Sequence, residues 1–193
     1  MRPRVVVVGA GALGSHFLLF ARNLGADFRV IDFDKIESKN IMSQFHTKMG
    51  QGKNKAKALQ VALQGMFGIK VSALTSKLMG NNRVQLLSES DLIIDCTDNF
   101  KARDIIQEWC RDMEVPCLHG CLSADGQFAR AVWTEDFRPD KEDVEGGATC
   151  EDGENLPFHA MVGAVMAEVV KAFLKDGTKR SWQLVPGTLT RLT

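Results

Sequence analysis

The feature that most constrains this chain is a glycine-rich turn close to its start. A β-branched run, Arg4 to Val8, leads directly into Gly9 to Gly14 (GAGALG), and residues 15–24 then have the apolar spacing of a helix. Such a turn lets the backbone approach a phosphate, which the N–H groups and dipole of the following helix stabilise. The alternative is that the glycines serve only close packing. The predicted nucleotide contacts in this turn are Gly9, Gly11, Ala12, Leu13 and Gly14.

Apolar strands alternate with helices along much of the chain. Strands that are apolar throughout are typical of a parallel sheet covered on both faces, with ligands at the carboxyl ends of the strands. We therefore expect an α/β fold, a Rossmann-like doubly wound and mainly parallel sheet with helices on both faces and antiparallel strands toward the C-terminus. The predicted elements after the first helix are parallel strands at 28–32, 69–73, 91–96 and 115–118, helices at 53–67 and 100–113, an antiparallel strand at 127–134, a helix at 158–174 and further strands within 182–192.

Length and charge limit the classes of protein that remain. A chain of 193 residues predicts a single domain over residues 1–193, and 45% hydrophobic with 25% charged residues excludes extended disorder. Twenty-four basic and twenty-four acidic residues give a formal net charge of zero. Because nucleic-acid binders usually carry a basic excess, no nucleic acid is expected as a partner. Residues 136–155 are rich in Asp, Glu and Gly without an apolar period, which predicts a mobile loop.

The cysteines and the apolar segments indicate the cellular compartment and whether the chain spans a membrane. Five cysteines are an odd number, they contain no C-x-x-C pair, and no signal peptide is recognised, so we expect a cytoplasmic protein without a structural zinc. Residues 158–174 are interpreted as too short and too charged to span a membrane. A helix this apolar is either buried within the chain or forms a homodimer interface, and the sequence leaves both possibilities open.

Asp32 provides a second nucleotide signal. It lies eighteen residues after Gly14, at the end of the second predicted strand, where a carboxylate can accept hydrogen bonds from ribose hydroxyls. The glycine turn and this aspartate together fit a NAD-dependent oxidoreductase as well as they fit an ATP-binding protein.

Three further segments separate these two interpretations. They are Asp32 to Gln44 (DFDKIESKNIMSQ), Gly50 to Lys53 (GQGK) and Cys96 to Arg103 (CTDNFKAR). The chain resembles the ThiF/MoeB/HesA branch of the ubiquitin-activating-enzyme superfamily, in which the corresponding patterns are D-x-D-x-V-x-x-S-N-L-x-R-Q, G-x-x-K and D-x-T-D-N-x-x-x-R. The resemblance runs in the same order from the first strand to the helix that ends near Leu174.

The resemblance implies ATP and magnesium as ligands. Asp32 would hold the ribose, Lys53 would contact the phosphates and Asp98 would hold the magnesium ion. From the residues alone, Asp98 could instead cap the helix that follows it, and Lys53 could be a solvated lysine. By the same resemblance, Asn40 and Gln44 fall on positions that help to place the triphosphate, and Asp34 and Asn99 are further nucleotide-binding positions.

The resemblance also implies a nucleophilic thiol. Cys150 precedes a Glu168-x-x-Lys171 helix, much as the thioester or persulfide cysteine of the family precedes its own helix, although Glu151 and Asp152 would raise the pKa of the thiol. Cys117 and Cys121 are the alternative thiols, and they fit small buried residues equally well.

Two departures from the family concern arginines. Ser43 stands where the family has a phosphate-contacting arginine, and the first strand begins at residue 4, where the family has a preceding helix that carries another arginine. Loss of both guanidiniums would remove bidentate phosphate contacts that a lysine does not reproduce.

Three functions remain as hypotheses. The first is an ATP-dependent adenylyltransferase that activates a carboxylate as its acyl-adenylate. By resemblance, the substrate would be the C-terminal Gly of a ubiquitin-like or sulfur-carrier protein, and the alternative is a small-molecule or peptide carboxylate. The second is a non-catalytic scaffold that binds nucleotide or a ubiquitin-like partner, which the missing arginines favour. The third is a NAD-dependent oxidoreductase, which leaves several residues without a role: Asn40, Gln44, Lys53, Asp98 and Asn99.

Overall fold

The computed structural model describes residues 1–123, 125–135, 137 and 153–192. These residues form a single mixed sheet of eight strands flanked by helices. The elements are β1 (Arg4–Val8), α1 (Ala12–Ala21), β2 (Asp27–Ile31), α2 (Asn40–Ser43), a 3-10 turn (Lys48–Gly50), α3 (Lys55–Phe67), β3 (Ser72–Leu74), α4 (Arg83–Leu87), β4 (Leu92–Asp95), α5 (Phe100–Met113), β5 (Cys117–Leu122), β6 (Ala129–Trp133), α6 (Leu156–Asp176), β7 (Trp182–Val185) and β8 (Thr188–Arg191).

The sheet confirms the predicted fold class. Its strand order is β3-β2-β1-β4-β5-β6-β7-β8, with parallel pairing from β3 to β5 and antiparallel pairing from β5 to β8. The order reverses beside β1, since β2 lies on one side of it and β4 on the other. Val8, the last residue of β1, pairs with Ile31 and with Asp95, so three strands end together at one edge. In open α/β sheets this crevice is where ligands bind.

Two hydrophobic cores cover the two faces of the sheet. Successive side chains of a strand point to opposite faces, and β1 shows this directly: Val5 and Val7 pack with α1, α3 and α6, whereas Val6 and Val8 pack with α4 and α5. Because β1 is apolar on both faces, it can only be a central strand. This burial fixes the glycine turn that follows Val8 against a rigid sheet.

α1, α3 and α6 begin at other residues than predicted. α1 begins at Ala12 and ends at Ala21, not at 15 and 24, because Gly11 is already its N-cap. α3 begins at Lys55, not at 53, because the Asn54 side chain accepts a hydrogen bond from Lys57 N and so caps the helix there. The later start of α3 places Lys55, and not Lys53, in the first turn of the helix.

α6 differs from its prediction in length. It has 21 residues and is long and apolar enough, by length and composition alone, to cross a membrane, so the interpretation as too short and too charged is wrong. The helix nevertheless packs on α1 within the larger core, where a Cβ added to Gly163 would lie 2.6 Å from His16 Cβ. Val169 is buried as well, so burial within the chain accounts for much of its apolar surface. A homodimer through this helix remains a prediction.

Most of the predicted mobile loop, with Cys150, lies outside the described residues. The loop and the role of that cysteine therefore stay predictions, as does the assignment of the whole chain to one domain.

Candidate active site

A cavity of about 770 Å³ opens at the edge where β1, β2 and β4 end. Its wall includes the glycine turn, the segment after β2, the start of α3 and the loop between β4 and α5. The polar and charged residues that line it are Asp32, Asp34, Lys35, Glu37, Lys39, Asn40, Gln44, Lys55, Ser76, Lys77, Thr97, Asp98, Asn99, Lys101 and Arg103.

The three glycines of the turn differ in the space that a side chain would have. Gly9 has φ +94°, and a Cβ there would lie 2.6 Å from the Cys96 carbonyl oxygen. A Cβ on Gly14 would lie 1.9 Å from the Gly9 carbonyl oxygen, so only glycine lets α1 start this close to the turn. A Cβ on Gly11 would meet no protein atom within 4 Å, and Gly11 lines the cavity. Gly9 and Gly14 thus have no space for a side chain, whereas Gly11 does, and of the three only Gly9 and Gly11 line the cavity.

The N-terminus of α1 faces the same cavity. Gly11, Ala12 and Leu13 line it, and no side chain caps the helix at Gly11. The first N–H groups of a helix have no partner within the helix, and they carry the positive end of its dipole. This end of the cavity therefore attracts an anion such as a phosphate.

Asp32 shapes the turn as well as lining the cavity. One carboxylate oxygen accepts from Ala10 N at 2.6 Å, and the other accepts from Asp34 N at 2.8 Å. Burial raises the pKa of Asp32, and the two backbone donors partly offset that effect. The carboxylate therefore fixes the geometry of the glycine turn and still borders the cavity, where the sequence places the ribose.

Lys55 is the nearly buried lysine of the cavity wall, and the placement of Lys53 at the phosphates stays a prediction. The Lys53 side chain is exposed and does not line the cavity. Lys55 is nearly buried, lines the cavity, and lies 3.4 Å from Oδ2 of Asp34. The Gly-x-x-Lys spacing is met twice, by Gly50 with Lys53 and by Gly52 with Lys55, and the helix start at Lys55 turns the second lysine inward.

Asn40 and Gln44 also line the cavity, and both are nearly buried. Asn40 Oδ1 accepts from Glu37 N at 2.9 Å, which orders the segment before α2. Gln44 Oε1 is buried and finds no hydrogen-bond partner among the described residues. A buried amide oxygen without a partner is costly, so a bound water or a ligand is expected to supply its donor.

Ser43, between these two residues, is fully buried and does not line the cavity. Its hydroxyl also lacks a partner among the described residues. Since α2 contacts α6 here, an arginine at this position would have to displace packed atoms before it reached the cavity. Ser43 therefore fills a packed position, and its difference from the family is more than the loss of an arginine charge.

Asp98 and Asn99 differ in which of them caps α5 and which of them leaves its carboxylate or amide free at the cavity. Asn99 caps α5, since its side chain accepts from Ala102 N at 3.1 Å. Asp98 is therefore not the cap. Its exposed carboxylate lines the cavity and makes no hydrogen bond or ion pair with another described residue. A free carboxylate at a strand end suits a hard divalent cation such as magnesium.

Sequence reasoning missed a buried charge network beneath the Asp98 loop. The Asp95 carboxylate accepts from Thr97 N at 2.9 Å and from His119 Nδ1 at 2.7 Å, and it lies 3.7 Å from Arg103 Nε. Arg103 in turn donates to the Thr97 carbonyl oxygen at 3.0 Å. Burial alone would raise the pKa of Asp95, but His119 and Arg103 outweigh it, so the carboxyl stays ionised. The D-x-T-D-N-x-x-x-R spacing contains both charges, and only tertiary structure adds His119.

The described thiols beside the site are poor nucleophiles. Burial raises the pKa of Cys96 and of Cys117 well above the ordinary value, and it also raises the pKa of Cys121, despite the guanidinium of Arg103 at 3.1 Å from its sulfur. Cys117 is a fully buried core residue. The alternative thiols therefore fit packing, and Cys150 remains the candidate.

Comparison with known proteins gives a single family. The sequence model of the ThiF family matches residues 1–185. The SAMP-activating enzyme E1 of Haloferax volcanii is 29% identical over 191 residues, which are 92% of this chain and 69% of that protein. The adenylyltransferase and sulfurtransferase MOCS3 of Arabidopsis thaliana is 34% identical over 132 residues, which are 66% of this chain and 28% of that protein.

A solved structure confirms the fold. Escherichia coli MccB, in a crystal structure with MccA-N7isoASN, superimposes with a TM-score of 0.79 and covers 99% of this chain and 64% of its own, at 17% identity. At this identity the likeness concerns the fold alone. The chain spans less than two thirds of MccB and of MOCS3.

Proposed function

The chain belongs to the ThiF family, and from this we propose that it is an ATP-dependent adenylyltransferase that activates a carboxylate as its acyl-adenylate. The observation that carries the proposal is that one cavity is lined by the α1 N-terminus, Asp32, Lys55 and Asp98. An anion site, a ribose acceptor, a buried cation and a free carboxylate are the groups that a magnesium nucleoside triphosphate requires.

The reaction places charge where this cavity can accept it. A carboxylate oxygen of the substrate attacks the α-phosphorus, the bond from that phosphorus to the bridging oxygen of the β-phosphate breaks, and pyrophosphate leaves. Negative charge grows on the α-phosphate and on the departing pyrophosphate. The N–H groups at Gly11 to Leu13 and the ammonium of Lys55 supply preorganised positive charge for both. The Asp34 carboxylate keeps that ammonium at the cavity wall.

Asp98 is the residue that would hold magnesium. Its carboxylate has the oxygen donors that the ion prefers, and it makes no competing ion pair with a described residue. A bound magnesium ion would neutralise phosphate charge and polarise the reacting phosphoryl group. Thr97, held by Asp95 and Arg103, fixes the loop that presents this carboxylate.

The charged groups at the phosphate end of the cavity fit ATP better than NAD. Asp32 borders the space for a ribose, which both nucleotides contain, and Gln44 lines the same cavity. An oxidoreductase would leave Lys55 and Asp98, the two groups suited to a triphosphate and its metal, without a function.

The substrate is proposed from the names of the relatives. The SAMP-activating enzyme and MOCS3 are an activating enzyme and an adenylyltransferase. We take the substrate to be the C-terminal Gly of a ubiquitin-like or sulfur-carrier protein, the location to be cytoplasmic and the assembly to be a homodimer. Ser43 favours a second candidate, a scaffold that binds nucleotide without turnover, because no arginine reaches the cavity from α2.

Calorimetric titration tests the nucleotide assignment. ATP with magnesium is expected to bind the wild-type chain, and NAD to bind much more weakly. Tighter binding of NAD than of ATP would contradict the proposal. ATP binding without pyrophosphate exchange, measured with carrier proteins that end in Gly-Gly, would favour the scaffold.

A further inference from the structure

Both backbone polar groups of Ala10 make hydrogen bonds to side chains. Its N–H donates to Asp32 Oδ2 at 2.6 Å, and its carbonyl oxygen lies 2.9 Å from Nε2 of His46. His46 is nearly buried and does not line the cavity. Because a carbonyl can only accept, Nε2 of His46 must carry the proton of this bond.

The bond to His46 sets the direction of a neighbouring donor. The carbonyl of Ala10 and the N–H of Gly11 belong to one peptide group, and this peptide bond is trans. In a planar trans peptide these two bonds point in opposite directions. A carbonyl directed at His46 therefore directs the Gly11 N–H away from it, and Gly11 lines the cavity. Gly11 itself cannot enforce this orientation, since glycine is the residue most free to rotate.

The segment that carries His46 is itself anchored to α1. Phe45 N donates to Ser15 Oγ at 2.9 Å, and Gln44 N donates to the Asn40 carbonyl oxygen at 2.9 Å. His46 is thus supported from α1 and from α2, independently of the bond that it makes to Ala10.

We propose that His46 is a positioning residue for the nucleotide phosphates: it holds the Ala10 carbonyl so that the Gly11 N–H points at the α-phosphate. This inference rests on the proposed function, since it concerns the same cavity. Without the His46 donor, the peptide between Ala10 and Gly11 can rotate, and its carbonyl would then repel the phosphate.

The test compares ligands with and without phosphate. Adenosine, AMP and ATP with magnesium are titrated into wild type, His46→Phe and His46→Gln. His46→Phe is expected to weaken the binding of AMP and ATP at least about fivefold relative to the binding of adenosine. This factor corresponds to about 1 kcal/mol, the contribution of a typical hydrogen bond. His46→Gln, which retains a donor, should recover most of that loss. If His46 had a merely structural role, its substitution would weaken the binding of all three ligands by the same factor.

His16 provides the matched control. It is also a buried histidine bonded to a carbonyl of this turn, with Nδ1 2.7 Å from the Ala12 oxygen, but the peptide that follows Ala12 is already fixed by the helix. His16→Phe should therefore leave the ATP to adenosine ratio within about twofold of wild type. If His46→Phe fails to fold, Ser15→Ala, which releases Phe45 N, should shift the same ratio at least about twofold.

Two results would overturn the inference. The first is an unchanged ratio in His46→Phe, or in Ser15→Ala where it replaces that variant. The second is an equal shift in His16→Phe. Wild type that binds adenosine but not ATP would contradict the proposed function itself, whereas wild type that binds ATP with an unchanged variant ratio would remove the role of His46 alone.

Discussion

The ammonium group of Lys55 lies 3.4 Å from the carboxylate of Asp34, and this contact holds a nearly buried lysine at the wall of the cavity. Lys53, two residues earlier, is exposed and outside the cavity. The pair therefore offers a direct comparison between two lysines that the sequence pattern does not separate.

Lys55→Met should abolish most pyrophosphate exchange, and Lys53→Met should not. Removing one preorganised charge from the reacting phosphates is expected to cost about 100-fold or more in rate. Steady-state exchange assays with both variants measure the difference. A larger loss in Lys53→Met than in Lys55→Met would restore the assignment made from spacing.

Asp32→Asn should destabilise the folded chain. The carboxylate accepts from two backbone N–H groups with two oxygens, whereas an amide has one oxygen and would present an N–H₂ group to the other donor. We expect a loss of about 1.5–3 kcal/mol in the free energy of unfolding, measured by urea denaturation. Asp34→Asn, at a half-exposed position, should cost less than about 1 kcal/mol.

The stability of the chain should fall in acid because of His46. Burial, with Lys55 and His16 nearby, lowers the pKa of His46 from 6.5 to about 4. Between these values the unfolded chain binds a proton that the folded chain does not, so the free energy of unfolding decreases as the pH falls. At about 1.4 kcal/mol per pH unit, the loss approaches about 3 kcal/mol at pH 4.

His46→Phe should flatten this pH dependence of the free energy of unfolding. Part of the slope should remain, because burial also lowers the pKa of His16. Denaturation midpoints at pH 7, 6, 5 and 4 check this expectation. An identical slope in the variant would mean that His46 is not the group that titrates.

The buried network beneath the Asp98 loop should be sensitive to loss of one charge. Asp95→Ala leaves the guanidinium of Arg103 without its carboxylate, and such changes cost about 3–5 kcal/mol. Glu108→Ala, which removes the exposed partner of Arg83, should cost less than about 1 kcal/mol. Urea denaturation of both variants compares them. Equal losses would contradict the buried charge account.

The sequence predicted what local spacing determines. The glycine turn, Asp32 at the end of β2 and Asp98 after β4 lie where the strand and helix pattern places them. Lys55 could not be preferred over Lys53, because only the cap at Asn54 decides which lysine turns inward. The bonds of His46 to Ala10 and of His119 to Asp95 join residues 36 and 24 positions apart, and no local pattern encodes them.

Pyrophosphate exchange by Asp98→Ala is the most direct test of adenylation at this cavity. With a carrier protein that ends in Gly-Gly, wild type should exchange pyrophosphate into ATP, and Asp98→Ala should reduce the rate about 100-fold or more with an unchanged melting temperature. Asp104→Ala, at an exposed α5 position outside the cavity, is the control and should match wild type. Exchange in Asp98→Ala at the wild-type rate would contradict the account.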